Sequence, residues 1–313
     1  MSDDVQATAH PRLADLMQQA RVRAAGQPGT LGLVYPCDAL AMDAAQRIQR
    51  SGMARPVLLG PTTAMRHAAE QAGVDLADFE CIDTGDSAPE AARQAAALAR
   101  EGRLQSLMKG SLHTDELMSA VVSKAAGLRT ARRISHAFVF DLPRYPKLLA
   151  LADCVVNISP DLRTKQDILA NALDLLRALG IHQPKVGIVA AVETVNPAIP
   201  ATVDAQALVQ LAREGAWPGA VVEGPLGFDN AISAQAARIK KIDSQVAGDA
   251  DLLLMPDLNA GNMLYKSFNY IGGGDCAGLV LGAAVPVVLT SRADSLLSRL
   301  ASVALAVLAT RPA

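Results

Sequence analysis

Apolar runs of strand length alternate with alanine- and leucine-rich helical stretches throughout this 313-residue chain. Helical periodicity fills the intervals between the runs, as in Thr164–Leu179, whose apolar residues share one face. Alternation at this spacing predicts parallel sheets covered by helices on both faces. So many strands exceed what one compact sheet normally holds, so we expect two α/β domains. The predicted strands are Leu31–Tyr35, Pro56–Leu59, Glu80–Asp83, Leu104–Met108, Ser135–Phe140, Cys154–Ile158, Val186–Ala191, Ala220–Glu223, Leu252–Met255, Leu279–Gly282 and Val285–Leu289.

Composition excludes several classes of partner. The formal net charge is −2 and charged residues make up 19% of the chain, which argues against a nucleic-acid or membrane-surface partner. The four cysteines are far apart and form no Cys-x-x-Cys pair, so we expect reduced thiols. The acidic amino terminus does not resemble a signal peptide, and no apolar run is long enough to span a bilayer. These features predict a soluble cytoplasmic protein.

Several predicted strands end in a short polar segment that contains glycine, proline or both, or a Ser-Arg pair. In parallel α/β sheets, ligands bind at the carboxyl ends of strands, where the following helices present unpaired backbone N–H groups. We therefore expect an active-site cleft between two α/β domains. The segments are Met108–Thr114, Val192–Pro197, Val222–Pro225, Pro256–Asn262 and Leu289–Arg292.

The segment Thr290–Asp294 has two compatible interpretations. It follows an apolar strand and precedes a predicted helix over Leu296–Leu308. In the first interpretation, Ser291 is the N-cap of a capping box and Asp294 stands three residues on, which stabilises a helix by ~0.5–2 kcal/mol. In the second, the helix N-terminus, the hydroxyl and the guanidinium of Arg292 bind a phosphate or a developing oxyanion.

The segment that begins at Lys109 resembles a phosphate-binding turn, because it combines a cation, a glycine and hydroxyls at a helix start. It lacks the spacing of a Walker A loop. The alternatives are a solvated charge for Lys109 and a capping role for His113. The segment Asp257–Asn262 is either a turn that caps the next helix or part of a ligand site. The histidines show no metal-ligand spacing, and we predict no metal site.

These segments resemble, in order, the motifs of the phosphate acetyl/butyryltransferase family. The resemblance is strong from Leu104 to Leu308 and weaker at Pro36–Asp38, and it is nearest to the butyryl branch and to the acetyltransferase domain of enoyl-CoA hydratase fusions. The matching stretches are Leu107–Met118, Ala191–Pro197, Glu223–Leu226, Asp229–Ser233, Val246–Asp251, Pro256–Lys266 and Pro286–Ser295.

The resemblance implies reversible transfer of a short-chain acyl group, acetyl or butyryl, between CoA and inorganic phosphate, so that acyl-CoA and phosphate give acyl phosphate and CoA. It implies no tightly bound cofactor, with CoA as a substrate, a homodimer, and a functional link to an enoyl-CoA hydratase. The implied fold is two three-layer αβα domains like those of isocitrate and isopropylmalate dehydrogenases. We place the first domain at residues 1–130 and 280–313 and the second at residues 131–279.

The resemblance also implies roles for individual residues. Ser291 and Arg292 match a cleft pair that helps bind CoA and stabilises charge at the reacting carbonyl. Acetyltransferase members carry a catalytic aspartate a few residues beyond this pair, at the position of Ser298 here, so we assign the general base to the nearest carboxylate, Asp294. The residues expected to bind substrate are Lys109, His113, Thr114, Arg133, Asn259, Asn262 and Lys266.

Two other functions are compatible with the sequence. One is a non-catalytic sensor of acyl-CoA or acyl phosphate, which would keep the cleft without a working base. The other is a metal- and NAD-dependent decarboxylating dehydrogenase on the same fold. The dehydrogenase would need a cluster of aspartates for Mg²⁺ or Mn²⁺, and none is evident in the sequence.

Overall fold

The computed structural model describes residues 9–291 and 294–310. It divides into two compact α/β units. The first comprises the chain up to Arg132 together with the chain from Ala277 onward, and the second runs from Arg133 to Cys276. Both units are built from strands that alternate with helices, as the sequence pattern predicts. In the part of the chain that the structure describes, no helix has the length and apolar content needed to cross a membrane.

The elements are numbered in chain order. The strands are β1 (Gly29–Val34), β2 (Ala54–Gly60), β3 (Glu80–Asp83), β4 (Ser106–Lys109), β5 (Ser135–Asp141), β6 (Leu149–Ala152), β7 (Lys185–Val189), β8 (Val221–Leu226), β9 (Leu252–Leu254), β10 (Asp275–Leu281) and β11 (Val287–Val288). The α-helices are α1 (Pro11–Ala24), α2 (Ala39–Ser51), α3 (Thr62–Ala72), α4 (Ala88–Arg100), α5 (Thr114–Val122), α6 (Leu162–Ala178), α7 (Pro200–Arg213), α8 (Phe228–Ile232), α9 (Ala234–Ile239), α10 (Leu258–Tyr270) and α11 (Leu296–Ala309).

In the first unit the strand order is β3-β2-β1-β4-β11-β10. The neighbours from β3 to β11 are parallel, and only the pairing of β11 with β10 is antiparallel. Consecutive residues such as Leu58 and Leu59 are both fully buried, which is typical of parallel strands covered on both faces. Because β1, β4 and β11 are adjacent and parallel, their carboxyl ends meet at one edge.

In the second unit the strand order is β5-β6-β9-β7-β8, with β5 antiparallel to β6 and the other neighbours parallel. Its core contains Phe140, Leu151 and Leu253, all fully buried. Phe138 of β5 stacks on Tyr265 of α10 with ring centroids 4.2 Å apart. This aromatic contact fixes α10 against the strands.

One predicted strand is wrong. Cys154–Ile158 is a loop, and the strand of this region is β6, which lies earlier in the chain. The buried carboxylate of Asp153 accepts the N–H groups of Val155, Val156 and Asn157 at 2.8, 3.0 and 3.3 Å. These bonds wind the chain around the carboxylate and remove the three amides from any ladder. The predicted parallel pairing is also wrong at β5–β6 and β10–β11, which are antiparallel.

Candidate active site

The carboxyl ends of β1 and β4 are joined by hydrogen bonds. Gly110 donates its N–H to the carbonyl of Val34 at 2.9 Å, and Ser111 donates its N–H to the carbonyl of Tyr35 at 2.8 Å. The amide of Cys37 in turn donates to the Ser111 hydroxyl at 3.0 Å. A Cβ on Gly110 would lie 2.5 Å from the Val34 oxygen, so only glycine permits this approach.

Lys109 is held at the junction of β4 and β11. Its ammonium donates to the carbonyls of Gly110 and Leu112, at 3.1 Å each, and the residue is half-buried. The Thr290 hydroxyl, which follows β11, donates to the Lys109 carbonyl at 3.4 Å. The structure therefore places this cation on a defined turn between two strand ends.

His113 and Thr114 stand at the start of α5, as the sequence predicts, and both are exposed. The Glu116 carboxylate accepts the His113 N–H at 2.7 Å. Asp115 and Glu116 also place negative charge in the first turn, where they match the positive end of the helix dipole. Because these carboxylates already offset the positive end of the helix, an anion bound at this segment would need side chains such as those of His113 and Thr114 in addition to the helix terminus.

The capping box predicted at Ser291 is wrong. The N-cap of α11 is Ser295, whose hydroxyl accepts the Ser298 N–H at 2.9 Å. Asp294 instead closes the preceding turn, because its carboxylate accepts the Ser291 N–H at 2.6 Å and its own N–H donates to the Ser291 carbonyl at 3.2 Å. Arg292, predicted as a catalytic residue, lies outside the described residues. Ser291 is exposed and Asp294 is half-buried.

Ser298 stands where the resemblance implies a catalytic aspartate in acetyltransferase members. It is 7% exposed and lies in the first turn of α11. A serine hydroxyl cannot accept a proton as a carboxylate does at neutral pH. Asp294 remains the predicted base.

Sequence reasoning missed Arg299, which lies buried beneath the turn at Ser291. It is 6% exposed, and its guanidinium donates to the main-chain carbonyls of Ser291 at 2.8 Å and Asp294 at 3.4 Å. The sequence did contain a signal for Arg299, because it is the one charged residue of α11, whose other residues are apolar or serine.

A small pocket in the first unit brings these residues together, and we call it the strand-end pocket. Its polar lining comes from side chains or main chain of Asp38, Lys109, Thr290, Ser291 and Arg299, and its floor is apolar. Asp38 also caps α2, since its carboxylate accepts the Ala41 N–H at 2.8 Å. The structure thus unites Lys109 with Ser291, two residues predicted from separate segments of the sequence.

Cys37 directly precedes Asp38, a residue that lines this pocket, but its thiol is not activated. Burial, and to a lesser extent the negative charge of Asp38, raise the pKa of Cys37 to about 11. Its thiol is therefore protonated at neutral pH and is a poor nucleophile. Burial is also the main reason that the pKa of Tyr35 is raised.

The other predicted substrate residues belong to the second unit. Arg133 is exposed, and its main chain is fixed because its N–H donates to Asp167 at 3.1 Å and its carbonyl accepts the Asn171 side chain at 2.9 Å. Both partners are buried residues of α6. Hydrogen bonds therefore hold the main chain of Arg133 in place, and the residue is exposed.

Asn259, Asn262 and Lys266 all lie on α10. The capping interpretation of this segment is confirmed, because the Asp257 carboxylate accepts the Ala260 N–H at 3.0 Å. Asn262 donates its side-chain N–H to the Cys154 carbonyl at 3.1 Å, and Asn259 and Lys266 are exposed. Within residues 9–291 and 294–310, no group of three or more His, Cys, Asp or Glu side chains is arranged to hold a metal ion.

The chemistry available at the strand-end pocket is that of an anion site beside a proton acceptor. The cation of Lys109 favours negative charge, the Ser291 hydroxyl can donate to an oxyanion, and Asp294 can accept a proton. Such a set is typical of enzymes that transfer acyl or phosphoryl groups.

Comparison with known proteins identifies the family. The family model described as phosphate acetyl/butaryl transferase matches residues 87–307. The chain therefore belongs to the phosphate acetyl/butyryl transferase family, and it is an acyltransferase. The resemblance inferred from the sequence motifs is confirmed.

Individual relatives agree with this assignment. The chain is 50% identical to the phosphate acetyltransferase of Rhizobium meliloti over 293 residues, which cover 94% of this chain and 92% of that protein. It is 37% identical to the phosphate butyryltransferase of Clostridium acetobutylicum over 271 residues, or 87% of this chain and 90% of that protein. The crystal structure of a branched-chain phosphotransacylase from Enterococcus faecalis V583 matches with a TM-score of 0.79 and 28% identity, covering 90% of this chain and 99% of that chain.

Proposed function

We propose that this protein transfers a short-chain acyl group between CoA and inorganic phosphate, so that acyl-CoA and phosphate give acyl phosphate and CoA. The observation that carries the proposal is the 50% identity to a phosphate acetyltransferase over 94% of the chain. The strand-end pocket supports it, because the reaction needs a phosphate site, an oxyanion donor and a base close together.

In the direction that consumes acyl phosphate, Asp294 accepts the proton of the CoA thiol. The thiolate sulfur then attacks the carbonyl carbon, and the Ser291 hydroxyl, together with Arg292, stabilises the oxyanion. The bond between the carbonyl carbon and the phosphate oxygen breaks, and phosphate leaves with the electron pair. Lys109 neutralises the leaving phosphate. The reverse reaction returns the proton from Asp294 to the departing thiolate.

The remaining predicted residues serve binding. We assign His113 and Thr114 to the phosphate end, since they follow Lys109 directly. We also assign Arg133, Asn259, Asn262 and Lys266, which belong to the second unit, to substrate binding. Under this proposal the two units are αβα domains of the isocitrate and isopropylmalate dehydrogenase type, joined in one enzyme.

Acetyl is the acyl group that we propose for this enzyme. Its support is the higher identity to the acetyltransferase of Rhizobium meliloti, 50%, than to the butyryltransferase of Clostridium acetobutylicum, 37%. Comparing kcat/KM for acetyl-, propionyl- and butyryl-CoA tests this choice, and a higher value for butyryl-CoA than for acetyl-CoA would contradict it.

We propose that the enzyme is a homodimer. The helix α10 supports this, because Met263 and Tyr270 on it, and Ile271 just after it, are 64%, 75% and 86% exposed. Large apolar side chains exposed in a group are typical of interaction surfaces. Light scattering coupled to gel filtration measures the mass, and a monomer at micromolar concentration would contradict the proposal.

We place the enzyme in the cytoplasm, with CoA as its substrate and no tightly bound cofactor. The four cysteines, all within the described residues, are thiols rather than disulfides, which suits a reducing compartment. A functional link to an enoyl-CoA hydratase stays a prediction of the resemblance.

The decisive experiment measures phosphate-dependent loss of the thioester of acetyl-CoA. Thioester absorbance is preferable to a thiol reagent, because Cys81 is exposed and would itself react. Replacing Ser291 by alanine should lower kcat by about 10- to 1,000-fold. The matched control is Ser51→Ala, which removes a hydroxyl from the far end of α2 in the same unit and should keep wild-type activity.

The sensor function is the second candidate, favoured by the serine at position 298. It predicts CoA binding by calorimetry without phosphate-dependent turnover of any short-chain acyl-CoA. Turnover by the wild type would exclude it.

A further inference from the structure

Arg299 is a buried cation that the proposed reaction leaves without a role. It is 6% exposed and is the one charged residue of α11. A buried charge is retained only where hydrogen bonds offset its desolvation. The partners of this guanidinium therefore indicate what it does.

Its partners include the two ends of one turn. One nitrogen, Nη2, donates to the carbonyl of Ser291 at 2.8 Å, and Nε donates to the carbonyl of Asp294 at 3.4 Å. The same two residues also bond each other through the Ser291 N–H and the Asp294 carboxylate at 2.6 Å. The guanidinium thus spans the turn that carries the proposed oxyanion donor and the proposed base.

We infer that Arg299 is a positioning residue: it fixes the turn from Ser291 to Asp294 so that the hydroxyl and the carboxylate are aligned for acyl transfer. This inference rests on the proposed function. The planar guanidinium suits the task, because its nitrogens hold two acceptors at a fixed spacing, whereas the single ammonium of lysine cannot. Substitution by lysine therefore keeps the positive charge but removes the pair of nitrogens that holds both carbonyls at a fixed spacing.

The alternative is that Arg299 only stabilises α11. The helix start does not need it, because Ser295 caps the first turn independently at 2.9 Å. The other buried residues of α11 are apolar, such as Ala301 and Leu305, apart from Ser298 and Ser302. The two roles predict different effects for a conservative variant.

The first test measures amide hydrogen exchange residue by residue, by NMR, in the wild type, Arg299→Lys and Arg299→Gln. We expect the Ser291 and Asp294 amides to exchange at least about 10-fold faster in both variants, while the amides in the middle of α11 keep their protection. The control is Lys165→Met, which removes another buried cation, paired with Asp204 in the second unit. Unchanged exchange at Ser291 and Asp294 in the variants would overturn the inference.

The second test is kinetic. Arg299→Lys should lower kcat about 10- to 100-fold with little change in the KM for acetyl-CoA, because misalignment affects the chemical step. Since Arg299 acts through the turn at Ser291, adding Arg299→Lys to Ser291→Ala should cost less than it does alone. Fully additive losses would overturn the inference. An inactive wild type would refute the proposed function instead, while the exchange experiment would still decide the positioning role.

Discussion

Gly110→Ala tests whether the close approach of the carboxyl ends of β1 and β4 builds the strand-end pocket. The added Cβ would lie 2.5 Å from the Val34 carbonyl oxygen and 2.7 Å from that of Tyr35, and both atoms are backbone. The two strand ends must separate to relieve these contacts. We therefore expect the hydrogen bonds from Gly110 and Ser111, at 2.9 and 2.8 Å, to break.

The magnitude follows from these contacts. Two lost main-chain hydrogen bonds cost about 2 kcal/mol together. The overpacking that remains after the strands shift adds about 1–3 kcal/mol. Gly110→Ala should therefore lower the free energy of unfolding by about 3–5 kcal/mol, and activity should fall further because Lys109 moves with the turn.

Gly60→Ala is the matched control. Gly60 ends β2 in the same unit, but its added Cβ would meet only Met65 and Pro36 side-chain atoms at 3.4 to 3.5 Å, which is ordinary contact. Because alanine also restricts the unfolded chain, this variant should be as stable as the wild type or more stable by up to about 1 kcal/mol. Urea unfolding followed by circular dichroism measures both variants. Equal stability of Gly110→Ala and wild type would refute the reasoning.

Two further predictions concern ion pairs. Lys147 and Lys185 hold the pKa of Asp249 below its ordinary value, so this carboxylate contributes stability above that value and loses it as the pH falls through the lowered pKa. Asp249→Asn should lower the free energy of unfolding at pH 7 by about 0.2–1 kcal/mol, a small value because the side chain is half exposed, and this difference from the wild type should disappear as the pH falls through the lowered pKa. Equal urea midpoints for variant and wild type at pH 7 would contradict the prediction. Asp204→Asn should cost about 3–5 kcal/mol, because it leaves the buried Lys165 ammonium without its partner at 2.6 Å. Lys165→Met should cost less, since Asp204 is 26% exposed, and the reverse ranking in urea unfolding would contradict this account.

The local pattern of apolar residues was sufficient to predict most of the strands. The predicted strands Leu31–Tyr35 and Pro56–Leu59 overlap β1 and β2, because consecutive apolar residues are needed where a strand is buried on both faces. The hydrophobic pattern failed at Cys154–Ile158. The apolar residues there suit a strand, but the carboxylate of Asp153 accepts hydrogen bonds from the amides that a strand would need. Side-chain competition for backbone amides is invisible to hydrophobic periodicity.

Individual residues of the candidate site could be predicted from the sequence better than the contacts between them. Lys109 and Ser291 carry recognisable chemistry in sequence, and parallel strand order brings them together. The N-cap was misassigned because Ser291 and Ser295 both precede the helix, and only the main-chain path selects Ser295. Arg299 was missed because its contacts depend on how the turn folds back over α11, which helical periodicity does not encode.

The discontinuity of the first unit constrains the order in which the protein is made. Its strand β11 stands between β4 and β10, and α11 packs on α1, yet both of these late elements lie beyond Ala277. A ribosome has released the whole segment Arg133–Cys276 before it releases them. The second unit can therefore fold during synthesis while the first waits with an incomplete sheet. The strand-end pocket, which needs Thr290, Ser291 and Arg299, is consequently among the last features that a newly made chain acquires.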